Sequence, residues 1–236
     1  MTLPIEISPS PLVTSAIEIR FVSELEKQKL FPLVYKKFQN ELPNLNENTI
    51  PKELRVLDPQ LKNSPDYILS NNNFSLSFGI NVISFENVSD YKLWNNYFPF
   101  VVDCLNKFFE LGIIKYIERI GVRYASIFDH TENIAEVINQ IPTIPINDFE
   151  QKFAYYRCDL VKDDFNLHLQ LANNAKIIKN EKPLSGSYID IDASFTSKID
   201  ANKNIYSIID KLHTHEKEVF FGLVKKSFLD TLDVKY

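Results

Sequence analysis

Between Ala16 and Phe21 apolar and charged side chains alternate, Ile17, Ile19 and Phe21 against Glu18 and Arg20. That period of two predicts a half-buried strand with Glu18 and Arg20 on one face. Ser23 or Glu24 then opens a helix running to about Leu42, with Leu30, Leu33, Val34 and Phe38 at helical spacing. Pro32 places its regular part from about Phe31, and Pro43 fits its end. Asn, Pro and charge dominate from Asn44 to Ser64, which reads as a surface connection. A short strand at Tyr67 to Leu69, a turn at Asn71-Asn72-Asn73 and a long strand at Phe74 to Phe85 follow as a hairpin. In the long strand Leu76, Phe78, Ile80 and Val82 are expected to face one way.

Ser89 or Asp90 is the expected N-cap of a second helix, in which Trp94, Tyr97, Phe98, Val101, Val102, Leu105, Phe108 and Phe109 recur at steps of three and four. Pro99 should kink that helix or reset its start, and Gly112 supplies its stop. The chain then re-enters the sheet through Ile114 to Phe128. Phe153 to Leu160, Phe165 to Ala172 and Ser187 to Phe195 read as further strands, and a helix is expected from Asn204 to Leu232. Its stripe of Ile205, Ile208, Ile209, Leu212, Val219, Phe220, Leu223 and Phe228 suits a helix lying across a sheet. The expected fold is α+β: an antiparallel-rich sheet backed by two long helices, with an extra N-terminal helix. A strand-rich block followed by a long helix occurs twice, marking pseudo-halves at 12–128 and 150–236 inside a single module of residues 1–236. No residue-level repeat joins those halves.

Phasing the strands by their apolar residues gathers a polar face: Glu18 and Arg20, Ser75, Ser77 and Asn81, Arg157 and Asp159, Asn166, His168 and Gln170, Asp190 and Asp192. Arg119 and Arg123 share a phase with Gly121, whereas Glu118 falls with Ile120, Val122 and Tyr124 unless Gly121 marks a bulge. On the first reading the opposite charges form cross-strand pairs on a wet face and fix register. On a second, Arg20, Arg119, Arg123 and Arg157 receive an anionic ligand or acidic partner, since guanidinium forks bind carboxylate and phosphate with defined geometry. A third makes Asp190 and Asp192 a metal pair completed by His168 or Asp159.

The 236 residues carry 44% hydrophobic and 13% aromatic side chains, ample for a core. A formal net charge of -5 argues against a phosphate-tracking surface and so against nucleic acid as partner. Cys104 and Cys158 lie in apolar runs, where reduced, buried thiols are expected. The first twelve residues lack the basic start and apolar core of a secretory signal, and no apolar run approaches the roughly 20 residues of a membrane helix. A cytoplasmic protein off the membrane is the expectation.

Recognisable catalytic motifs are missing. The five glycines, at 79, 112, 121, 186 and 222, permit neither a dinucleotide fingerprint nor a phosphate-binding loop. His213-Thr214-His215 puts its imidazoles on different sides of a helix and is expected on the helix surface. Ser185-Gly186-Ser187 reads as a turn, and neither cysteine has a histidine at motif spacing. No catalytic residue, metal or cofactor is predicted. Trp94, near the start of its helix, is a candidate interface residue.

Ser10-Pro11-Leu12-Val13 leading into Ala16 to Phe21, Tyr91 with Trp94, Ile117 to Tyr124, and Leu212-His213 with Lys217 and Phe220 form a series spanning nearly the whole chain. The series resembles a sporadically distributed bacterial protein family of unknown function. That family opens on Pro-Leu-Val-Glu-Ala before a Glu-x-Arg strand, and carries Tyr-x-x-Trp, Arg-Ile-Gly-Leu-Arg-Tyr and a closing Leu-His helix. Here Thr14 replaces the usual Glu, and Ala125-Ser126 replaces the usual Ile-Asn. The resemblance implies one full-length module. Patchy distribution is typical of genes that travel with mobile elements or defence systems, so it also implies an antitoxin, immunity or defence-accessory role. The leading expectation is a non-enzymatic binding module with a protein partner, working through the polar face or exposed helix surface. The alternatives are a small-ligand or metal-dependent enzyme on the same face, and a homo-oligomer whose sheets or edges pair across a two-fold axis, in the simplest case a homodimer.

Overall fold

The computed structural model describes residues 3–58, 61–139, 152–179, 181–200 and 204–236. Along the chain run β1 (Glu6–Ser8), β2 (Leu12–Val22), α1 (Lys27–Phe38), β3 (Asn44–Glu47), α2 (Lys52–Leu57), β4 (Tyr67–Ser70), β5 (Phe74–Gly79), β6 (Val82–Asn87) and α3 (Trp94–Glu110). There follow β7 (Tyr116–Asp129), α4 (Ile134–Val137), β8 (Tyr155–Lys162), β9 (Phe165–Lys179), β10 (Lys182–Asp200), α5 (Tyr206–Leu223), α6 (Lys226–Leu229) and β11 (Asp233–Lys235). The fold is α+β, with a large antiparallel sheet of nine strands in the order β3-β4-β5-β6-β2-β7-β10-β9-β8 and a two-stranded β1-β11 sheet. Among the described residues no helix is long and apolar enough to cross a membrane. Two compact units share the chain: Met1–Ser15, Val122–Ala193 and Lys211–Tyr236 form the first, and Ala16–Gly121 and Ser194–Asp210 the second.

In the second unit the alternation of β2 reads directly as register. Tyr67, Phe78, Ile83 and Ile19 form one cross-strand row, and Leu69, Leu76, Phe85 and Ile17 the next. Side chains directly opposite one another share a face, so both rows point to one layer. Over the core lie α1 and α3: Phe38 meets Phe108 with ring centroids 5.4 Å apart, and the Tyr97 hydroxyl donates to the Phe85 carbonyl at 2.5 Å. The expected long strand at Phe74 to Phe85 is instead a hairpin turning at Ile80 and Asn81, because Gly79 pairs with Val82. Core positions are even on β5 and odd on β6 as a result, and Asn81 leaves the polar face for the turn, where its amide donates to Asn63 Oδ1 at 2.7 Å.

Part of the expected surface connection is strand β3, which pairs with β4 although all four of its residues are exposed. Its one apolar side chain, Leu45, gives too little pattern to reveal it. Pro32 lies inside α1, where the loss of one backbone donor does not end the helix. Helix α3 begins at Trp94 behind Leu93 at φ 61, without a side-chain cap, so neither Ser89 nor Asp90 caps it.

In the first unit the core gathers Phe128, Leu169, Leu171, Ile189, Ile191 and Phe220. The helix expected to run to Leu232 is instead α5, which stops at Leu223, followed by the short α6, because the chain between them takes up extended pairing with the segment after α4. Asn139 N–H donates to the Leu223 carbonyl at 2.9 Å and Lys225 N–H to the Val137 carbonyl at 2.7 Å. Those contacts override helix propensity. Gly186 is fixed by close approach: a Cβ there would stand 2.0 Å from the Phe128 carbonyl oxygen. Gly186→Ala is therefore expected to cost about 2 kcal/mol, since backbone on both sides must move. Urea unfolding reads this as a lowered midpoint, and an unchanged midpoint would contradict the contact.

Candidate functional site

The polar face of the first unit follows from the core. Ile189 and Ile191 of β10 point into it, so Tyr188, Asp190 and Asp192 project from the opposite side. Asp190 is nevertheless only 2% exposed. Arg123 of β7 covers it with a two-pronged ion pair, Nε donating to Oδ1 at 2.9 Å and Nη2 to Oδ2 at 2.7 Å. The Tyr188 hydroxyl adds a third bond to Oδ2 at 3.1 Å. The Asp190 hydrogen bond raises the Arg123 pKa further, while burial first and the Asp190 charge second push Tyr188 up to about 12. Both Asp190 oxygens are thus already accepting from a permanent cation.

That geometry bears on the metal reading. A cation at Asp190 would have to displace Arg123, and among the described residues no group of three or more His, Cys, Asp and Glu is arranged to hold a metal ion. Asp192, half-buried two residues on, adds a second carboxylate on the same face.

A second group sits where β8 pairs with β9. Asp159 lies directly opposite His168, whose Nδ1 is 2.5 Å from Asp159 Oδ1, and Arg157 Nε stands 3.7 Å from the same oxygen. The His168 hydrogen bond holds the Asp159 carboxyl below its ordinary range. Arg157 is opposite Gln170, which accepts from the Tyr155 hydroxyl at 2.7 Å. Cys158, expected as a buried thiol, is exposed, because among the described residues β8 is the last strand of the sheet on that side; Cys104 is buried as expected, and desolvation raises its pKa.

The second unit holds the third group. Glu18 Oε1 accepts from Arg20 Nε at 2.7 Å and from Arg119 Nη1 at 2.8 Å. Arg119 lies over Gly121: a Cβ at that glycine would be 2.3 Å from its Nη1. Glycine here makes room for a guanidinium. Along β7 burial falls on Ile117 and then on Ile120, so the alternation slips by one residue around the exposed Glu118. That slip lies before Gly121 and takes Glu118 out of the phase of Ile120, Val122 and Tyr124.

The nine candidate residues accordingly fall into three groups, each held by ion pairs within it: Glu18, Arg20 and Arg119; Arg123 and Asp190, with Asp192 beside them; and Arg157, Asp159 and His168. Trp94, a candidate for an interface, donates to Asp210 Oδ1 at 3.0 Å and stacks on Phe98. His213, expected on the helix surface, is 7% exposed, with its ring 5.5 Å from that of Tyr124. Burial lowers its pKa to about 3.

One buried ionisable group escaped the sequence reading. Glu216 is 5% exposed, and desolvation raises its pKa to about 8. Its signal was its place four residues after Leu212 and four before Phe220, on the apolar stripe of α5. Compared with protein-family models and with curated proteins, the chain matches none, so the family resemblance rests on the quoted motif residues.

Proposed function

We propose that the protein is a non-enzymatic interaction module that recognises another polypeptide through the open edge of its sheet. The observation supporting this reading is β8: its outer side has no strand partner among the described residues, yet Tyr155, Leu160 and Val161 on it are 50%, 47% and 73% exposed. An exposed apolar edge is a template for strand addition, which natural sheets otherwise blunt. The charged groups of the polar face are engaged with each other, which favours the edge over the face as the recognition surface.

The resemblance to a patchily distributed bacterial family extends the proposal to a cytoplasmic defence, immunity or antitoxin accessory whose partner is a protein rather than nucleic acid. Tagged wild type and Val161→Lys purified from the native host under mild washing, with intact-complex masses, test the reading. A partner chain at fixed stoichiometry with wild type and lost from Val161→Lys is the expected result. Bare protein in both cases, or a partner retained equally by both, would overturn it. The enzymatic alternative predicts a thermal shift with divalent cations or nucleotides instead.

A further inference from the structure

We propose that β8 pairs with β8 of a second copy of this chain, antiparallel, about a two-fold axis passing beside Cys158. The inference rests on the edge-recognition reading and names its partner.

Two identical antiparallel strands related by an axis normal to their sheet must centre on one residue facing itself, since whatever residue i meets, its counterpart meets in return. Centring on Arg157 would set Arg157 against itself, and centring on Asp159 would set Asp159 against itself, both like-charge contacts that oppose pairing. Centring on Cys158 instead places Arg157 opposite the partner subunit's Asp159 and Asp159 opposite the partner subunit's Arg157. The same register sets Tyr156 opposite the partner subunit's Leu160 and Tyr155 opposite the partner subunit's Val161. From Tyr155 to Val161 each pair flanking Cys158 is then either oppositely charged or apolar, on both faces of the strand, and Lys162 falls opposite the partner subunit's Ala154, outside β8.

The side chains needed are available. Arg157 and Asp159 are 57% and 60% exposed, and their own contact, 3.7 Å from Arg157 Nε to Asp159 Oδ1, is longer than a hydrogen bond, so it can be exchanged for pairs across the axis while Asp159 Oδ1 keeps His168. In the β8-β9 register Arg157 and Asp159 share the face of Gln170 and His168, while Tyr156 and Leu160 share that of Leu171 and Leu167. The two-fold therefore continues both faces of the sheet into the second copy. It also shields an edge that has no strand partner among the described residues and would otherwise template aggregation.

Cys158 supplies the probe. Directly opposed residues of an antiparallel pair have Cα atoms about 4.5–5.5 Å apart, within reach of a disulfide, whereas Cys104 is buried. Full-length protein should show a concentration-dependent monomer–dimer equilibrium by sedimentation. Diamide, accepting two electrons and two protons from the paired thiols, should yield a covalent dimer in wild type and none in Cys158→Ser.

Arg157→Asp should give monomer and abolish cross-linking, and the swap Arg157→Asp/Asp159→Arg should restore both. That rescue separates lost pairing from lost folding. A monomer at all concentrations, or cross-linking indifferent to Arg157→Asp, would overturn the proposal. If wild type is monomeric but Val161→Lys loses a different partner chain from native extract, self-pairing fails and edge recognition stands; if no partner is retained either, both fail.

Discussion

Replacing Arg123 with methionine is expected to lower stability by about 3 kcal/mol, because it strips the counter-ion from a carboxylate that is almost wholly buried. Asp190 is 2% exposed, and both of its oxygens accept from the Arg123 fork. With the guanidinium gone, Asp190 keeps the Tyr188 hydroxyl as a side-chain donor. The cost sits at the low end for a broken buried pair because the Arg123 side chain is 47% exposed, so water can reach part of the site. Asp190→Leu should cost less, since a half-exposed arginine can turn toward solvent. The double replacement Arg123→Met/Asp190→Leu should recover most of the loss, an apolar pair of similar volume being tolerated where a lone charge is not. Urea titrations of the four proteins read the coupling, expected to exceed 1 kcal/mol. Additive single effects would mean that the pair contributes nothing as a pair.

The same pair shows where reading residues in order meets its limit. Local alternation in Ala16 to Phe21 was enough to predict a strand and to place Glu18 beside Arg20, because a period of two is a property of neighbours. The helical steps from Trp94 to Phe109 were equally legible, since α3 buries Tyr97, Val101, Leu105 and Phe108. Whether Asp190 would meet Arg123 or a metal ion depended instead on contacts 67 residues apart, which no local pattern encodes. The turn at Ile80 and Asn81 was invisible because apolar alternation runs straight through it. Lengths failed for the same reason at β9 and β10, which run on past their apolar stretches as paired strands, and in α5, where the pairing of Val137 and Asn139 ends the helix.

Glu216 and His213 should give the protein an unusual stability profile with pH. Burial raises the Glu216 carboxyl from its ordinary 4.5 to about 8, so between those values the folded chain keeps a proton that the unfolded chain has released. Stability then falls as pH rises, by about 1.4 kcal/mol per unit. Burial moves His213 the other way, from 6.5 to about 3, with the charge of Lys217 a smaller cause. Here the folded chain refuses a proton that the unfolded chain takes up, and stability falls as pH drops below 6.5. Between about pH 4.5 and 6.5 the two slopes oppose and cancel, leaving a plateau; from 6.5 to 8 only Glu216 acts, and about 2 kcal/mol is lost. Glu216→Gln keeps the shape of the neutral acid and removes the titration. At pH 7 it should be more stable than wild type by roughly 3 kcal/mol, with a flat profile from 6.5 to 8. Chemical unfolding of both proteins between pH 5 and 9 measures this. Parallel curves would show that the Glu216 carboxyl is solvated in the folded protein, whereas curves that diverge with rising pH place a neutral acid beneath α5.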